Sequence, residues 1–331
     1  MPGKAFSKVR HLWFWFWRKT LNLKASTTIM LRRTFLKTSS ALLAAGLVGF
    51  DEPSPTAAPK LAFSTLGCPD WGYEQILAFA KQYRFSGLEI RGLKRELDLV
   101  KCPEFRDAAA IRDSVRKAKD AGVRIVNLGA STNLHLADGP EKEKAMDEGK
   151  RFIDLAAALS CPYIRVFPNS LPKDQDKNAV LERIRTGLGQ LADYAQSRKV
   201  IVLMETHGDL VFVDDLVSVM QPLNHPNAGL VWDCVNMFSV TKEAPAMVYP
   251  KLKKYIYHTH IKDYRMEGGK MRYCFLGTGE SPIMAAVELL RRDNYKGYYS
   301  FEWEKLWHPE IEEPDLAFAA YAKEMWTRYG G

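Results

Sequence analysis

One pattern limits the fold of this chain more than any other. From about residue 60 onward, short apolar runs alternate with longer stretches of helical periodicity. The runs are Leu61–Ser64, Gly87–Arg91, Arg124–Gly129, Tyr163–Phe167, Val200–Glu205, Gly229–Asp233, Tyr255–Ile261 and Tyr298–Glu302. Near-continuous hydrophobicity marks strands buried on both faces, as in a parallel sheet. Between the runs lie apolar stripes at helical spacing: Ala108, Ile111, Val115 and Ala118; Phe152, Leu155, Ala156 and Leu159; Val180, Ile184, Leu188, Leu191 and Ala195. Ser281-Pro282 predicts a helix start, with serine as N-cap and proline at the first helical position, ahead of a stripe of Ile283, Val287 and Leu290. Gly122 and the Arg198-Lys199 pair mark helix ends. The stretch from Asp233 to Tyr255 is the least regular, because Pro245 and Pro250 interrupt it.

Eight alternating units with no linker predict an α/β fold, a single-domain (β/α)8 TIM barrel over 59–331. An open dinucleotide-binding sheet is disfavoured, since Gly67-Cys68-Pro69 after the first run is not the glycine-rich phosphate fingerprint.

Residues 1–58 read as an address. Leu31-Arg32-Arg33-Thr34-Phe35-Leu36-Lys37 precedes the apolar run Ala41–Phe50, the layout of a signal peptide over 30–50 followed by a linker over 51–58. The run is shorter than the roughly 20 residues that cross a bilayer, so the mature chain is expected to hold no stable membrane span. The paired arginines resemble the twin-arginine signal, with Leu31 where serine or threonine is usual. Export to the periplasm or another extracytoplasmic space, through the twin-arginine machinery, is the expectation. Residues 1–29 are read as a mis-assigned start before Met30; the alternative is a membrane-surface anchor built on His11–Trp17.

The net charge of +8 belongs to this leader. Nine lysines and arginines and two acids lie in 1–58, leaving 38 bases and 37 acids for the body. A duplex-binding body carries a basic footprint, so no nucleic acid partner is expected. Five cysteines without a C-x-x-C pair make a disulfide scaffold or zinc knuckle unexpected.

In such barrels the chemistry sits at the C-terminal ends of the strands. Four charged residues fall there on consecutive runs: Glu205, Asp233, His260 and Glu302. A charge beside an apolar run is costly unless it is paired or metal-bound. Three carboxylates and an imidazole suit one divalent cation, Mn²⁺ first, with Mg²⁺, Co²⁺ or Zn²⁺ as alternatives. Taken singly, each has a plainer explanation. Glu205 pairs with a lysine, Asp233 caps a helix, His260 is a satisfied core histidine, and Glu302 with Glu304 are solvated rim charges. Their coincidence on four successive strands favours the metal reading. Trp71, Trp232 and Trp303 serve equally as apolar walls of a site or as packing.

The sequences Glu-Thr-His-Gly at 205–208, Asp-x-x-Asn at 233–236, His-x-His-x-Lys-Asp at 258–263 and Phe-Glu-Trp-Glu at 301–304 resemble, in order and spacing, the sugar phosphate isomerase/epimerase superfamily of xylose-isomerase-like barrels. The resemblance covers about residues 60–325. It implies that Glu205, Asp233, His260 and Glu302 are metal ligands, and that Glu205 and Glu302 are also the catalytic acid–base pair. Abstraction of the proton beside a carbonyl, through an enediolate, then isomerises or epimerises a sugar-like ketone. His207, Asn236 and Lys262 are expected to touch the substrate or orient the ligands, with Glu89, His135 and Arg265 as further rim residues. Ketose epimerases carry histidine where this chain has Asn236, which puts simple ketose 3-epimerisation in doubt and favours the alternative of a sugar-binding barrel without chemistry. Export, which makes free, oxidised or glycosidic sugars the expected substrates, opens the other alternative, a lyase acting by elimination or dehydration from the same α-proton removal. The endonuclease branch needs more histidines than the seven here, one of them His11 in the leader. A carbohydrate is the expected partner, with a homo-oligomer left open.

Overall fold

The computed structural model describes residues 58–330; the leader, with its twin-arginine-like signal, lies outside them apart from residue 58. Eight parallel strands close into a barrel: β1 (Lys60–Ser64), β2 (Gly87–Ile90), β3 (Arg124–Asn133), β4 (Tyr163–Phe167), β5 (Ile201–Glu205), β6 (Ala228–Asp233), β7 (Ile256–Ile261) and β10 (Tyr298–Phe301). Each neighbours the next in sequence, and β10 closes the ring against β1. All eight apolar runs are therefore barrel strands, with ends shifted by a residue or two at most places.

The helices are α1 (Tyr73–Gln82), α2 (Ala108–Asp120), α3 (Pro140–Ala158), α4 (Lys177–Gln196), α5 (Val213–Leu223), α6 (Cys234–Thr241), α7 (Pro245–Leu252), α8 (Ile283–Arg292) and α9 (Pro314–Tyr329). The stripe on α4 is wholly buried: Val180, Ile184, Leu188, Leu191 and Ala195 are each 0% exposed. Gly122 (φ +74°) and Lys199 (φ +58°) do lie in the left-handed region after α2 and α4. The irregular stretch after Asp233 splits into α6 and α7, with Pro245 seated in the first turn of α7.

One helix start differs from expectation. Ser281 does not cap α8; its hydroxyl donates to Asp263 Oδ1 at 2.7 Å, and Pro282 occupies the cap position without a side-chain bond. The same carboxylate accepts the amides of Gly277 and Gly279, each at 3.0 Å, so a residue 18 positions away outcompetes the local amide. A second addition is the antiparallel hairpin of β8 (Asp263–Glu267) and β9 (Lys270–Cys274), turned by Gly268 and Gly269, both at positive φ.

Trp232 and Trp303 are buried packing residues rather than sugar-facing walls. Trp303 stacks on Phe301 and donates its indole N–H to the Glu312 carbonyl at 3.0 Å. Trp232 packs on Tyr249, and Trp71 on Phe79 and Phe318. All five cysteines are buried free thiols. Among the described residues no helix is long and apolar enough to cross a membrane.

Candidate functional site

Parallel register brings the four candidate residues together. Side chains along a strand alternate between barrel interior and helix layer. Asp233 ends β6 and sits in register with His260 on β7. Glu205 ends β5 beside Val231, and Glu302 follows β10, where Ser300 is in register with His260. The alternation then aims all four inward. One ligand-capable atom from each lies within 4.8 Å of the others. His260 Nδ1 is 3.2 Å from Glu205 Oε1, 3.2 Å from Glu302 Oε2 and 3.8 Å from Asp233 Oδ2.

Asp233 performs two roles at once. Its Oδ1 accepts the Asn236 amide at 2.8 Å and caps α6, while its Oδ2 faces the cluster. Glu205 is fixed from two sides, by Arg165 Nε 3.1 Å from Oε2 and by the Asn236 side-chain amide, which donates to Oε1 at 3.3 Å. Asn236 thus orients Glu205. Lys262 is 1% exposed and reaches three carboxylates: Glu302 Oε2 at 2.7 Å, Glu304 Oε1 at 2.7 Å and Asp233 Oδ2 at 2.8 Å. Tyr273 of the hairpin donates its hydroxyl to Glu304 Oε1 at 2.7 Å, tying the hairpin to the site.

Glu89 is buried beneath the cluster instead of lining its rim. Its carboxylate faces His260 Nε2 at 3.2 Å and His258 Nε2 at 2.8 Å, and accepts from the Asn127 amide at 3.2 Å. His260 therefore turns Nδ1 toward the other carboxylates and Nε2 toward Glu89. His207 lies on the rim, with Nδ1 2.9 Å from Asn169 Oδ1 and its ring against Phe167; Asn169 in turn bonds Asn133. The structure does not bring Arg265 or His135 to the cluster. Arg265 pairs with Glu267 on the hairpin at 2.7 Å and is 43% exposed. His135 sits after β3, where its carbonyl accepts from Arg183 at 2.8 Å.

Charge dominates this interior. Burial raises the Asp233 carboxyl to about 6, despite Lys262. Burial also penalises the Glu302 carboxylate, but the charges of His260 and Lys262 outweigh it and hold Glu302 below the usual range. Burial opposes the His260 imidazolium, yet the charges of Glu302, Glu89 and Glu205 prevail and raise it well above the ordinary histidine value.

The donor set fits a divalent cation. Three carboxylates and one imidazole nitrogen converge, matching the ligand types that Mn²⁺ and similar ions take. Glu205 Oε2 and Asp233 Oδ2 are buried without a well-directed hydrogen bond, although each lies beside a cationic nitrogen. Buried polar atoms of that kind require a partner. A second group, Glu89, His258 and His260, also has ligand-capable atoms within 4.8 Å of one another; it offers one carboxylate where the first offers three.

Several residues escaped the reading of the sequence. Arg165 stands mid-strand in Tyr163-Ile164-Arg165-Val166-Phe167, where a charge inside an apolar run was the available signal. His258 was visible at the start of the His-x-His motif, but its partner Glu89 is 169 residues away. Tyr273 carried no local mark of its contact with Glu304.

The sequence profile described as xylose isomerase-like TIM barrel matches residues 77–322. No curated protein matches the chain. Among solved structures it is similar to 3-keto-D-glucoside 4-epimerase from E. coli, at 15% identity over 81% of this chain and 99% of that one, TM-score 0.65. It is similar to the probable 3-DHS dehydratase from Bacillus anthracis, at 16% identity over 80% and 97%, TM-score 0.66. It is also similar to a xylose isomerase-like TIM barrel protein from Mycobacterium smegmatis in complex with magnesium, at 18% identity over 82% and 96%, TM-score 0.60. These likenesses carry the fold, and the profile match carries the family: the chain belongs to the xylose isomerase-like TIM barrels.

Proposed function

We propose that this protein is a metal-dependent isomerase or epimerase of a sugar or sugar-like ketone. The observation that carries the reading is the convergence of Glu205, Asp233, His260 and Glu302 on one another. These four would hold the ion, with Mn²⁺ the first choice by ligand type. A bound divalent cation would supply stabilisation of the negative charge that develops on a ketone oxygen when the neighbouring C–H loses its proton.

The side chains provide the rest. In the metal-free protein the charges of His260 and Lys262 hold Glu302 ionised; with a cation in place of the His260 proton, Lys262 and the cation would keep it in the state a general base needs. Glu205 arrives from another strand, held by Arg165 and Asn236. Removal of the proton by one glutamate and its return by the other gives epimerisation, whereas return to the adjacent carbon gives isomerisation. Lys262 bridges Asp233, Glu302 and Glu304, and so fixes the rotamers on which the proton transfer depends.

The test is incubation of the metal-loaded protein with a panel of keto-sugars in deuterated water. Uptake of deuterium at a carbon next to the carbonyl is expected; none across the panel contradicts the reading. A second reading, elimination or dehydration, begins with the same proton removal. The likeness to a probable dehydratase supports it. Loss of water from the substrate during the same incubation identifies it.

The Arg32-Arg33 signal and the apolar run behind it support export by the twin-arginine machinery to an extracytoplasmic space. Fusion of residues 30–58 to a reporter active only after folded export tests this. Signal that survives replacement of both arginines by lysine refutes it.

A further inference from the structure

Two of the oxygens that face His260 are already held by another cation. Glu302 Oε2, 3.2 Å from His260 Nδ1, lies 2.7 Å from Lys262 Nζ. Asp233 Oδ2, 3.8 Å from His260 Nδ1, lies 2.8 Å from the same ammonium. Lys262 is buried, so bulk water is a poor substitute for either partner. An ammonium has three donors, and the third meets Glu304 Oε1 at 2.7 Å.

Glu304 differs from the other two carboxylates. It is not one of the four residues whose ligand-capable atoms converge. Its place follows from the chain around it. Trp303, between Glu302 and Glu304, stacks on Phe301 and is fixed by its indole N–H on the Glu312 carbonyl, and both flanking carboxylates reach Lys262. The hairpin holds Glu304 from the other side, because the Tyr273 hydroxyl donates to the same Oε1 at 2.7 Å. Among the described residues Lys262 is the only cation paired with Glu304.

These contacts set up a competition. A cation arriving at the cluster draws on Glu302 Oε2 and Asp233 Oδ2, the oxygens that Lys262 holds, and like charges on shared oxygens repel. A buried ammonium stripped of its counter-charges is strongly destabilising. Glu304 can keep Lys262 neutralised without surrendering an oxygen to the ion. We infer that Glu304 is a positioning residue of the metal centre, which retains the Lys262 ammonium when a divalent cation takes the oxygens that the two share. This rests on the metal-binding reading above. Without Glu304, Lys262 would fall back on Glu302 and Asp233 and compete with the ion.

The probe is Mn²⁺, titrated calorimetrically into the metal-free full chain at one pH and in one buffer. Glu304→Gln is expected to weaken binding roughly tenfold or more, about the contribution of one hydrogen bond to a charged group. In a Lys262→Met background the same substitution is expected to change affinity by less than about threefold, because its effect runs through Lys262. Mere loss of a negative charge near the ion would weaken binding equally in both backgrounds. Equal losses in the two, or no loss in the first, overturn the inference. Crystals of the unmodified protein soaked in Mn²⁺ give a second test that needs no variant to fold. Lys262 Nζ is expected to stay within hydrogen-bond distance of Glu304 Oε1 while its contact with Glu302 Oε2, Asp233 Oδ2 or both is lost. An ammonium that keeps both of those contacts, or that leaves Glu304, overturns the inference. No Mn²⁺ binding by the unmodified protein sinks the metal reading together with this one, whereas binding indifferent to Glu304→Gln sinks this one alone.

Discussion

Glu89 Oε1 lies 3.2 Å from His260 Nε2, so the imidazole presents its opposite nitrogen, Nδ1, to Glu205 and Glu302. A carboxylate behind a ligating histidine fixes its tautomer and its orientation. Glu89→Gln keeps the shape of the side chain but weakens the acceptor. Affinity for Mn²⁺ is expected to fall roughly 10- to 100-fold by calorimetry, with the circular dichroism spectrum retained. Unchanged affinity would mean that Glu89 only satisfies a core.

His260 links the site to pH. Its protonated form is favoured in the metal-free protein by Glu302, Glu89 and Glu205, against burial. Because its folded value is raised, the stabilisation from this charge is complete below the ordinary histidine range and is lost as pH rises through the raised value. A cation needs the neutral ring, so binding must displace the proton. Mn²⁺ binding at pH 7 is expected to release about one proton, read as a dependence of the calorimetric heat on buffer ionisation enthalpy. Affinity should therefore increase with pH. Proton uptake on binding would contradict this assignment.

Glu302→Gln removes the proposed base while leaving its volume in place. Deuterium exchange should drop by at least about 100-fold, the usual contribution of a positioned base. The thermal midpoint serves as the control for folding. Exchange at the unmodified rate would transfer the base to another residue.

Gly208 sits at φ +64°, and a Cβ there would fall 2.2 Å from the Asn169 carbonyl oxygen. That close approach joins the end of β5 to the loop after β4, where His207 meets Asn169. Gly208→Ala should cost about 1–3 kcal/mol of stability in urea unfolding, from a left-handed alanine and a backbone clash together. A loss under about 0.5 kcal/mol would show that the loop rearranges freely, the range of ordinary surface substitutions.

The barrel was legible because strands buried on both faces must be apolar throughout, and eight such runs leave few ways to fold. Glu205, Asp233, His260 and Glu302 were legible because each charge stood where an apolar run ends. Glu89 stood in a run as well, but its depth below the rim depends on register with Ser64 and Asn127 on the flanking strands. Arg265 looked like a rim residue because the hairpin went unseen. Mixed polarity along β8 and β9 left only Gly268-Gly269 as a cue. Ser281 shows the same limit: a cap is a local rule, and Asp263 broke it from a distance.

The central claim is that four side chains share one ion. Anomalous scattering from crystals soaked in Mn²⁺ tests it directly. The account predicts a single strong peak with Glu205, Asp233, His260 Nδ1 and Glu302 at ligand distance, and its loss in Asp233→Asn. A peak elsewhere, or none at saturating Mn²⁺, would contradict it.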